Sequence, residues 1–326
     1  ETPSVEDHRK PPENVSPEWD MVTPITIDEV TRHLKELKDG AAGPDHRRKS
    51  DLLKLKPEAL VCRFNIWLLA GIAPNSFRQG VTVLIPKSPE STEPKNFRPI
   101  TLGPILCRLY HRILAERVDK SYRISIRQKA FCKTDGIADN THILRTILAD
   151  RKMRCQKTNI AFLDVSKAFD SVSHQSILLA AASAGIPPPL VAYIESLYRD
   201  TKTRLRVNEE LSPEISVNRG VKQGDPLSPI LFNAVIDLAL RHADTRIGVP
   251  VGEEILSCLA FADDLVLFST TPKGLQMQFY IIEFALKKCG LALNVSKSAT
   301  IRIDVMGKSK VWCCNPIPYL KSRNSD

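Results

Sequence analysis

An α+β fold is predicted for this chain. Short apolar runs that read as strands end at turns or at charged residues, helical runs with apolar positions three and four apart stand between them, and no internal repeat or low-complexity tract occurs. At 326 residues with 43% apolar content, the chain can bury a sizeable core, expected as about two packed subdomains. Its 46 Lys+Arg against 37 Asp+Glu give a net charge of +9. That balance favours a polyanionic partner such as nucleic acid, although many basic proteins bind none. The cysteines at 62, 107, 132, 155, 258, 289, 313 and 314 contain no CxxC pair, which argues against zinc and suits a reducing compartment. No apolar stretch reaches the ~20 residues of a membrane span. Glu1 opens a polar, proline-containing segment rather than a signal peptide, so a soluble, intracellular fragment of a longer protein is expected.

The elements follow in order. Residues 1–25 carry Pro3, Pro11, Pro12, Pro17 and Pro24 among many charges and read as an extended arm. Thr26-Ile27-Asp28-Glu29 is a capping box, and Ile27, Val30, Leu34 and Leu37 share the face of the helix it opens, with Gly40 near its end. After the turn at Gly43-Pro44-Asp45 comes a helical pattern from about Glu58 to Ala70, with Leu60, Phe64 and Trp67 as core contacts. Gly80 to Pro86 is a strand ending at Lys87, and extended structure resumes at Asn96-Phe97-Arg98-Pro99-Ile100 before a helix around Leu106 to Val118. Asn159 to Asp164 is a short apolar strand, followed by helices at 174–184 and 189–199 and a hairpin from 203–207 and 214–218. Asp225 as N-cap and Pro226 at the first helical position open a helix through about Leu240. A hairpin within Leu256 to Phe268, a helix at 274–288 and a strand from Ala299 to Asp304 complete the chain.

Within that last hairpin, Ala262-Asp263-Asp264-Leu265 sets two adjacent carboxylates between strands. Neighbouring carboxylates repel, and a hard divalent cation such as Mg²⁺, which takes oxygen ligands and further carboxylates, is the fitting counter-charge. Asp164 supplies the third carboxylate, because Ile160-Ala161-Phe162-Leu163 is a buried-type strand that delivers it at its C-terminal end. Taken alone, Asp164 reads equally as a turn cap. A strand-end Asp beside a hairpin-tip Asp pair is the arrangement with which two-metal polymerases hold two ions ~4 Å apart.

Phe162-Leu163-Asp164-Val165-Ser166-Lys167-Ala168-Phe169-Asp170, Gly220-Val221-Lys222-Gln223-Gly224-Asp225-Pro226-Leu227-Ser228-Pro229 and Ala260-Phe261-Ala262-Asp263-Asp264 stand in the order seen in reverse transcriptases. Ile85-Pro86-Lys87, Asn96-Phe97-Arg98-Pro99-Ile100 and Gly290-Leu291-Ala292-Leu293-Asn294-Val295-Ser296-Lys297-Ser298 add to the match. Over roughly residues 19 to 320 the chain resembles non-LTR (LINE-type) retrotransposon reverse transcriptases, most nearly the branch that inserts into ribosomal RNA genes. The resemblance implies a right-hand polymerase with fingers and palm, an antiparallel palm sheet packed on helices, and no thumb. It implies an arm over 1–25, fingers and N-terminal extension over 26–158, a palm over 159–305 with a fingers segment interleaved at about 172–220, and the start of a primer-grip region over 306–326.

By the same resemblance, Asp164, Asp263 and Asp264 are the metal ligands of a site for two Mg²⁺ ions, with Mn²⁺ as a substitute, and Lys297 acts on the pyrophosphate. Phe169 lies beneath the incoming sugar, where its ring excludes a 2′-hydroxyl; ordinary core packing is the alternative. Gln223 and Gly224 lie over the nascent base pair, where a residue without Cβ lets backbone approach the nucleotide. Lys87 and Arg98 grip the triphosphate; without the resemblance each reads more often as a solvated surface cation. Asp170 is read as a turn or cap, and Asn294 as a turn residue. His46-Arg47-Arg48-Lys49 departs from the family, which favours a glycine and an apolar residue there, and reads as a backbone contact or an exposed loop. Cys313-Cys314 has no metal spacing, and the histidines form no constellation. The implied partners are an RNA template, a DNA primer and deoxynucleoside triphosphates, with no membrane, and the implied compartment is the nucleus. The implied reaction is RNA-directed DNA synthesis. The alternative is a domesticated or truncated relative that binds nucleic acid or protein without polymerising efficiently, and Phe169 disfavours an RNA polymerase.

Overall fold

A computed structural model describes residues 16–90, 92–122, 125, 127–131, 135–208, 210–303 and 309–312. Most of the expected N-terminal arm, most of the region 306–326, and Cys132, Cys313 and Cys314 lie outside them. In chain order the elements are α1 (Ile27–Glu36), α2 (Lys49–Leu52), α3 (Pro57–Ala70), β1 (Gln79–Pro86), β2 (Phe97–Leu102), α4 (Ile105–Ser121), α5 (Gly136–Met153), β3 (Thr158–Ser166), α6 (Ala168–Ser171), α7 (His174–Ser183) and α8 (Pro188–Tyr198). They continue with β4 (Lys202–Val207), β5 (Glu210–Leu211), β6 (Ile215–Ser216), α9 (Ser228–Leu240), β7 (Val249–Val251), β8 (Glu254–Leu256), β9 (Cys258–Phe261) and β10 (Asp264–Ser269). The last are α10 (Pro272–Lys288), β11 (Ala292–Leu293), β12 (Ala299–Ile303) and β13 (Ser309–Trp312). Among the described residues no helix is long and apolar enough to cross a membrane.

The described residues form two compact units, one within 16–122 and 173–232, the other within 125–172 and 233–312. In the first unit, α1 packs on α3 and α4, α8 packs on α3 and α7, and a sheet of order β2-β1-β4-β5 carries β6 beside β4. The capping box closes α1 as its sequence dictates: Glu29 N donates to Thr26 Oγ1 at 3.3 Å, and Thr26 N to Glu29 Oε2 at 3.0 Å. Val30 and Leu34 are buried, whereas Ile27, expected on the same face, is 46% exposed. Phe64, Trp67, Tyr110 and Tyr193 interlock in the core with ring centroids 5.0–5.6 Å apart. The basic run at 46–49 opens α2, where Asp51 Oδ2 accepts Arg48 N at 3.0 Å and Lys49 Nζ donates to Lys35 O at 2.7 Å.

In the second unit the sheet order is β13-β12-β3-β10-β9, with every neighbouring pair antiparallel, and β11 pairs with the far end of β3. α10 packs on β10 and β3, and α5 packs on β9. Ile147 of α5 joins Ile160, Leu259 and Phe268 in one apolar cluster. Helix α5 has no counterpart in the sequence reading, because only Gly136, Ile147 and Arg151 of its 18 residues are buried and its apolar stripe is thin.

One helix boundary departs from expectation. α9 begins at Ser228, not Pro226, and Asp225 caps a turn, its Oδ1 accepting Leu227 N at 2.9 Å. Its other oxygen lies 2.6 Å from Nδ1 of the buried His111.

Candidate active site

The antiparallel register of β3 and β10 sets Asp164 directly opposite Asp264, so the two carboxylates leave the same face of the sheet. That face carries Phe162 and Val266 one step back, and Ile160 and Phe268 two steps back. The apolar row therefore ends in a charged pair where β10 begins, between two interior strands of the sheet. Phe261 pairs with Asp264, leaving Ala262 and Asp263 as a two-residue turn between β9 and β10. Ala262 has φ of 53°, a left-handed conformation seldom adopted by a residue with a Cβ.

Burial raises the pKa of Asp263, and repulsion from Asp264 and Asp164 adds to it. Asp264 is raised too, first by partial burial and then by Asp164. The Lys297 ammonium opposes the shift at both. Lys297 sits on a short 3₁₀ turn, Val295–Lys297, locked to β3. Asn294 N donates to Asp164 O at 2.7 Å, Ser298 Oγ accepts Asp164 N at 3.3 Å, and Ser298 Oγ donates to Asn294 O at 2.8 Å. Asn294 is thus more than a turn residue: its backbone holds the strand that carries Asp164.

Beyond β3, Lys167 turns left-handed at φ 45° and starts α6, which carries the half-buried Phe169. Asp170 lies in the first turn of that helix, as expected for a turn residue. The Phe169 ring meets Phe131 edge-on at 6.1 Å between centroids. Phe131 is 51% exposed and is a neighbour that sequence reasoning missed.

In the other unit, Arg98 stands opposite Ile85 in the β1–β2 pair and Lys87 N donates to Asn96 O at 2.9 Å, so exposed Lys87 and Arg98 lie on one face of that hairpin. Gln223 O accepts Thr101 N at 2.7 Å, docking the 220–227 segment on β2. Gly224 has φ of 107°, and a Cβ there would stand 3.1 Å from Thr101 O and 3.2 Å from Ile100 Cγ2. Glycine is therefore required by this docking before any nucleotide is considered.

The expectation that the histidines form no constellation is corrected by His111. Its Nδ1 lies 2.6 Å from Asp225 Oδ2 and its Nε2 2.7 Å from Tyr193 Oη, all within the core. Burial is the largest single influence and would lower the His111 pKa, but Asp225 and Cys107 together outweigh it and raise the pKa to about 10. Conversely, the imidazolium holds Asp225 below the ordinary carboxylate range despite burial. The pair is therefore ionised, and the imidazolium donates to both oxygens. With Cys107 these residues form the one group of three possible ligands, among the described residues, whose atoms lie within 4.8 Å of one another. Cys107 Sγ is nearly equidistant from the two ring nitrogens, at 3.6 and 3.7 Å, and so faces the ring rather than a lone pair. Both nitrogens are already bonded, so this is a structural ion pair and not a metal centre.

The aspartate set offers oxygen donors only, with two carboxylates in register across adjacent strands and pKa values raised first by burial and then by mutual repulsion, a donor type that suits a hard cation.

The profile of the family described as reverse transcriptase (RNA-dependent DNA polymerase) matches residues 85–319. The chain is 39% identical over 287 residues to the retrovirus-related Pol polyprotein from type-1 retrotransposable element R2 of Nasonia vitripennis. It is 40% identical over 292 residues to the one from type-2 retrotransposable element R2DM of Drosophila melanogaster. These alignments take in 88% and 90% of the chain but only 28% and 27% of the relatives' lengths. Among solved structures, telomerase from Candida tropicalis in complex with the TWJ fragment of telomeric RNA matches with a TM-score of 0.52 at 14% identity, over 74% of this chain and 46% of that one. That likeness is one of fold: the right-hand polymerase architecture, here with antiparallel pairing throughout the sheet that carries the aspartates.

Proposed function

The chain belongs to the reverse transcriptase (RNA-dependent DNA polymerase) family, and from that premise we propose that it is the RNA-directed DNA polymerase core of a non-LTR retrotransposon. It extends a DNA 3′ end, templated by RNA, with deoxynucleoside triphosphates. In the full-length protein this is target-primed synthesis at chromosomal DNA, which puts the work in the nucleus. The observation that carries the reading is the register that sets Asp164 opposite Asp264 with Asp263 in the adjoining turn.

Asp164, Asp263 and Asp264 would hold two Mg²⁺ ions. When bound, the ions supply a lowered pKa for the primer hydroxyl and charge neutralisation at the leaving pyrophosphate. Lys297, anchored beside Asp164 by Asn294 and Ser298, places an ammonium at the same carboxylates and is positioned to protonate or steer the pyrophosphate. Lys87 and Arg98 bind triphosphate oxygens, the guanidinium in bidentate fashion and the ammonium as a point charge. Phe169 rejects a 2′-hydroxyl, and Gln223 with Gly224 forms the backbone surface against the nascent base pair. The unit within residues 16–122 and 173–232 is the fingers, and the unit that carries the aspartates is the palm.

Primer extension on RNA and DNA templates with Mg²⁺, comparing the chain with Asp263→Ala, tests this reading. The expected loss in the variant is at least about 1000-fold. Extension no greater than that of the variant, with template-primer still bound, would establish a binding-only relative instead.

A further inference from the structure

Gln128 is buried, at 1% exposure, and spends its whole carboxamide on the hairpin that carries Asp263. Ala262 N donates to its Oε1 at 2.9 Å, and its Nε2 donates to Ala262 O at 3.3 Å. The same Oε1 accepts Ala130 N at 3.0 Å, so both polar atoms are committed. Ala262 N and Ala262 O belong to the two peptide groups on either side of one α-carbon. Gripping both at once constrains φ and ψ of Ala262 together, and Ala262 is the residue held at φ 53° immediately before Asp263. A residue with a Cβ in that region relaxes unless its surroundings over-determine it.

The segment bearing Gln128 is itself fixed as an extra edge on β9. Ala260 N donates to Arg127 O at 2.8 Å, and Lys129 N donates to Ala260 O at 3.1 Å. Asn140 Nδ2 reaches Ala260 O at 3.0 Å, and Asn233 Nδ2 reaches Ala130 O at 2.7 Å. Gln128 is therefore a short, rigid arm between an anchored strand edge and the turn. Glutamate at this position keeps the acceptor but loses the donor to Ala262 O, and methionine fills the space and offers neither.

We propose that Gln128 is a positioning residue of the polymerase site: its carboxamide holds Ala262 in the left-handed turn and so fixes where the Asp263 carboxylate stands for a divalent cation. The inference rests on the polymerase reading above and adds a specific residue to it. Ligand orientation by neighbouring hydrogen bonds typically alters metal affinity by about 10- to 100-fold.

The test uses the whole chain and Mn²⁺ alone as the probe, with binding followed by electron paramagnetic resonance and the site defined as the Mn²⁺ lost in Asp263→Ala. Gln128→Met is expected to weaken that binding about 10-fold and to speed hydrogen exchange at the Ala262 amide. Asn140→Ala removes one hydrogen bond at Ala260 O, where Lys129 N and the Arg127 O bond to Ala260 N still anchor the edge, leaves the Gln128 grip on Ala262 whole, and is expected to leave Mn²⁺ affinity unchanged. Adding Ala262→Gly to Gln128→Met is expected to recover part of the loss, because glycine adopts positive φ without a clamp. In primer extension the Gln128→Met loss should fall on kcat and leave the KM for nucleotide unchanged. Should Gln128→Met fail to fold, Gln128→Glu gives the same readings with one bond kept. Mn²⁺ affinity in the Gln128 variant equal to the unmodified chain, or a loss matched by Asn140→Ala, would overturn the proposal. A chain that binds Mn²⁺ through Asp263 yet extends no primer would leave the clamp standing and remove the polymerase reading.

Discussion

At the scale of single residues, the site holds carboxylates disfavoured first by burial and then by one another, and Lys297 offsets this in part. Asp263 and Asp264 have raised pKa values, so in the metal-free protein their ionisation opposes folding. For a carboxylate raised on folding, the favourable contribution is complete below the ordinary carboxylate pKa and is lost as pH rises through the folded value. Above those folded values the contribution is gone and the buried charge remains. Asp263→Asn should therefore raise the melting temperature of the metal-free chain by about 2 °C while abolishing extension, a trade common at functional sites. Calorimetry with and without Mg²⁺ checks this, since the ion should stabilise the unmodified chain and not the variant. Phe169 belongs to the same scale. Its edge-on contact with Phe131 leaves it half-buried rather than sealed in the core. Phe169→Val should raise ribonucleotide incorporation relative to deoxynucleotide by roughly 10-fold or more, read from the ratio of the two kcat/KM values.

At the scale of elements, the 220–227 segment is held by a buried ion pair rather than by helix capping. His111 is raised to about 10 and Asp225 is lowered. The sign differs for the two partners. The His111 contribution is fully present below its unfolded pKa of 6.5 and fades as pH approaches 10; that of Asp225 is present above 3.8 and is lost as pH falls through its lowered value. The pair thus supports the fold across neutral pH and is released at both extremes. Removing one partner strands the other charge in the core, so His111→Gln should cost about 3–5 kcal/mol in denaturant unfolding. The cost should shrink as pH rises towards 10. Sequence patterning marked Asp225 and Pro226 as a helix start, because an Asp before a Pro is a strong local signal. The partner that Asp225 takes instead is a histidine 114 positions away in sequence, which no local pattern contains.

At the scale of the whole molecule, charge and discontinuity dominate. With a net charge of +9, the chain should lose about 100-fold in affinity for template-primer between 50 and 200 mM salt, measured by fluorescence anisotropy. Affinity that does not change with salt would argue against a phosphate-binding surface. Each unit is assembled from separated stretches of chain, and the described residues within 125–158 fold with Asp164 rather than with the stretch that precedes them. Helix α5 and the Gln128 edge both belong to that stretch, and both escaped sequence reading for the same reason. Their ties are long-range hydrogen bonds and a thin apolar stripe, which leave no periodic trace.

By itself, the sequence determined the α+β class, the positions of most strands and helices, the three aspartates, the family and the basic surface charge, because each is written in local pattern or in short motifs. Only the tertiary structure decided that Asp164 faces Asp264 in register, that Gly224 is needed for docking on β2, that His111 and Asp225 form a buried ion pair, and that Gln128 grips the turn of Ala262. Those facts depend on which distant segments meet, and burial and strand register, rather than residue type, settle that.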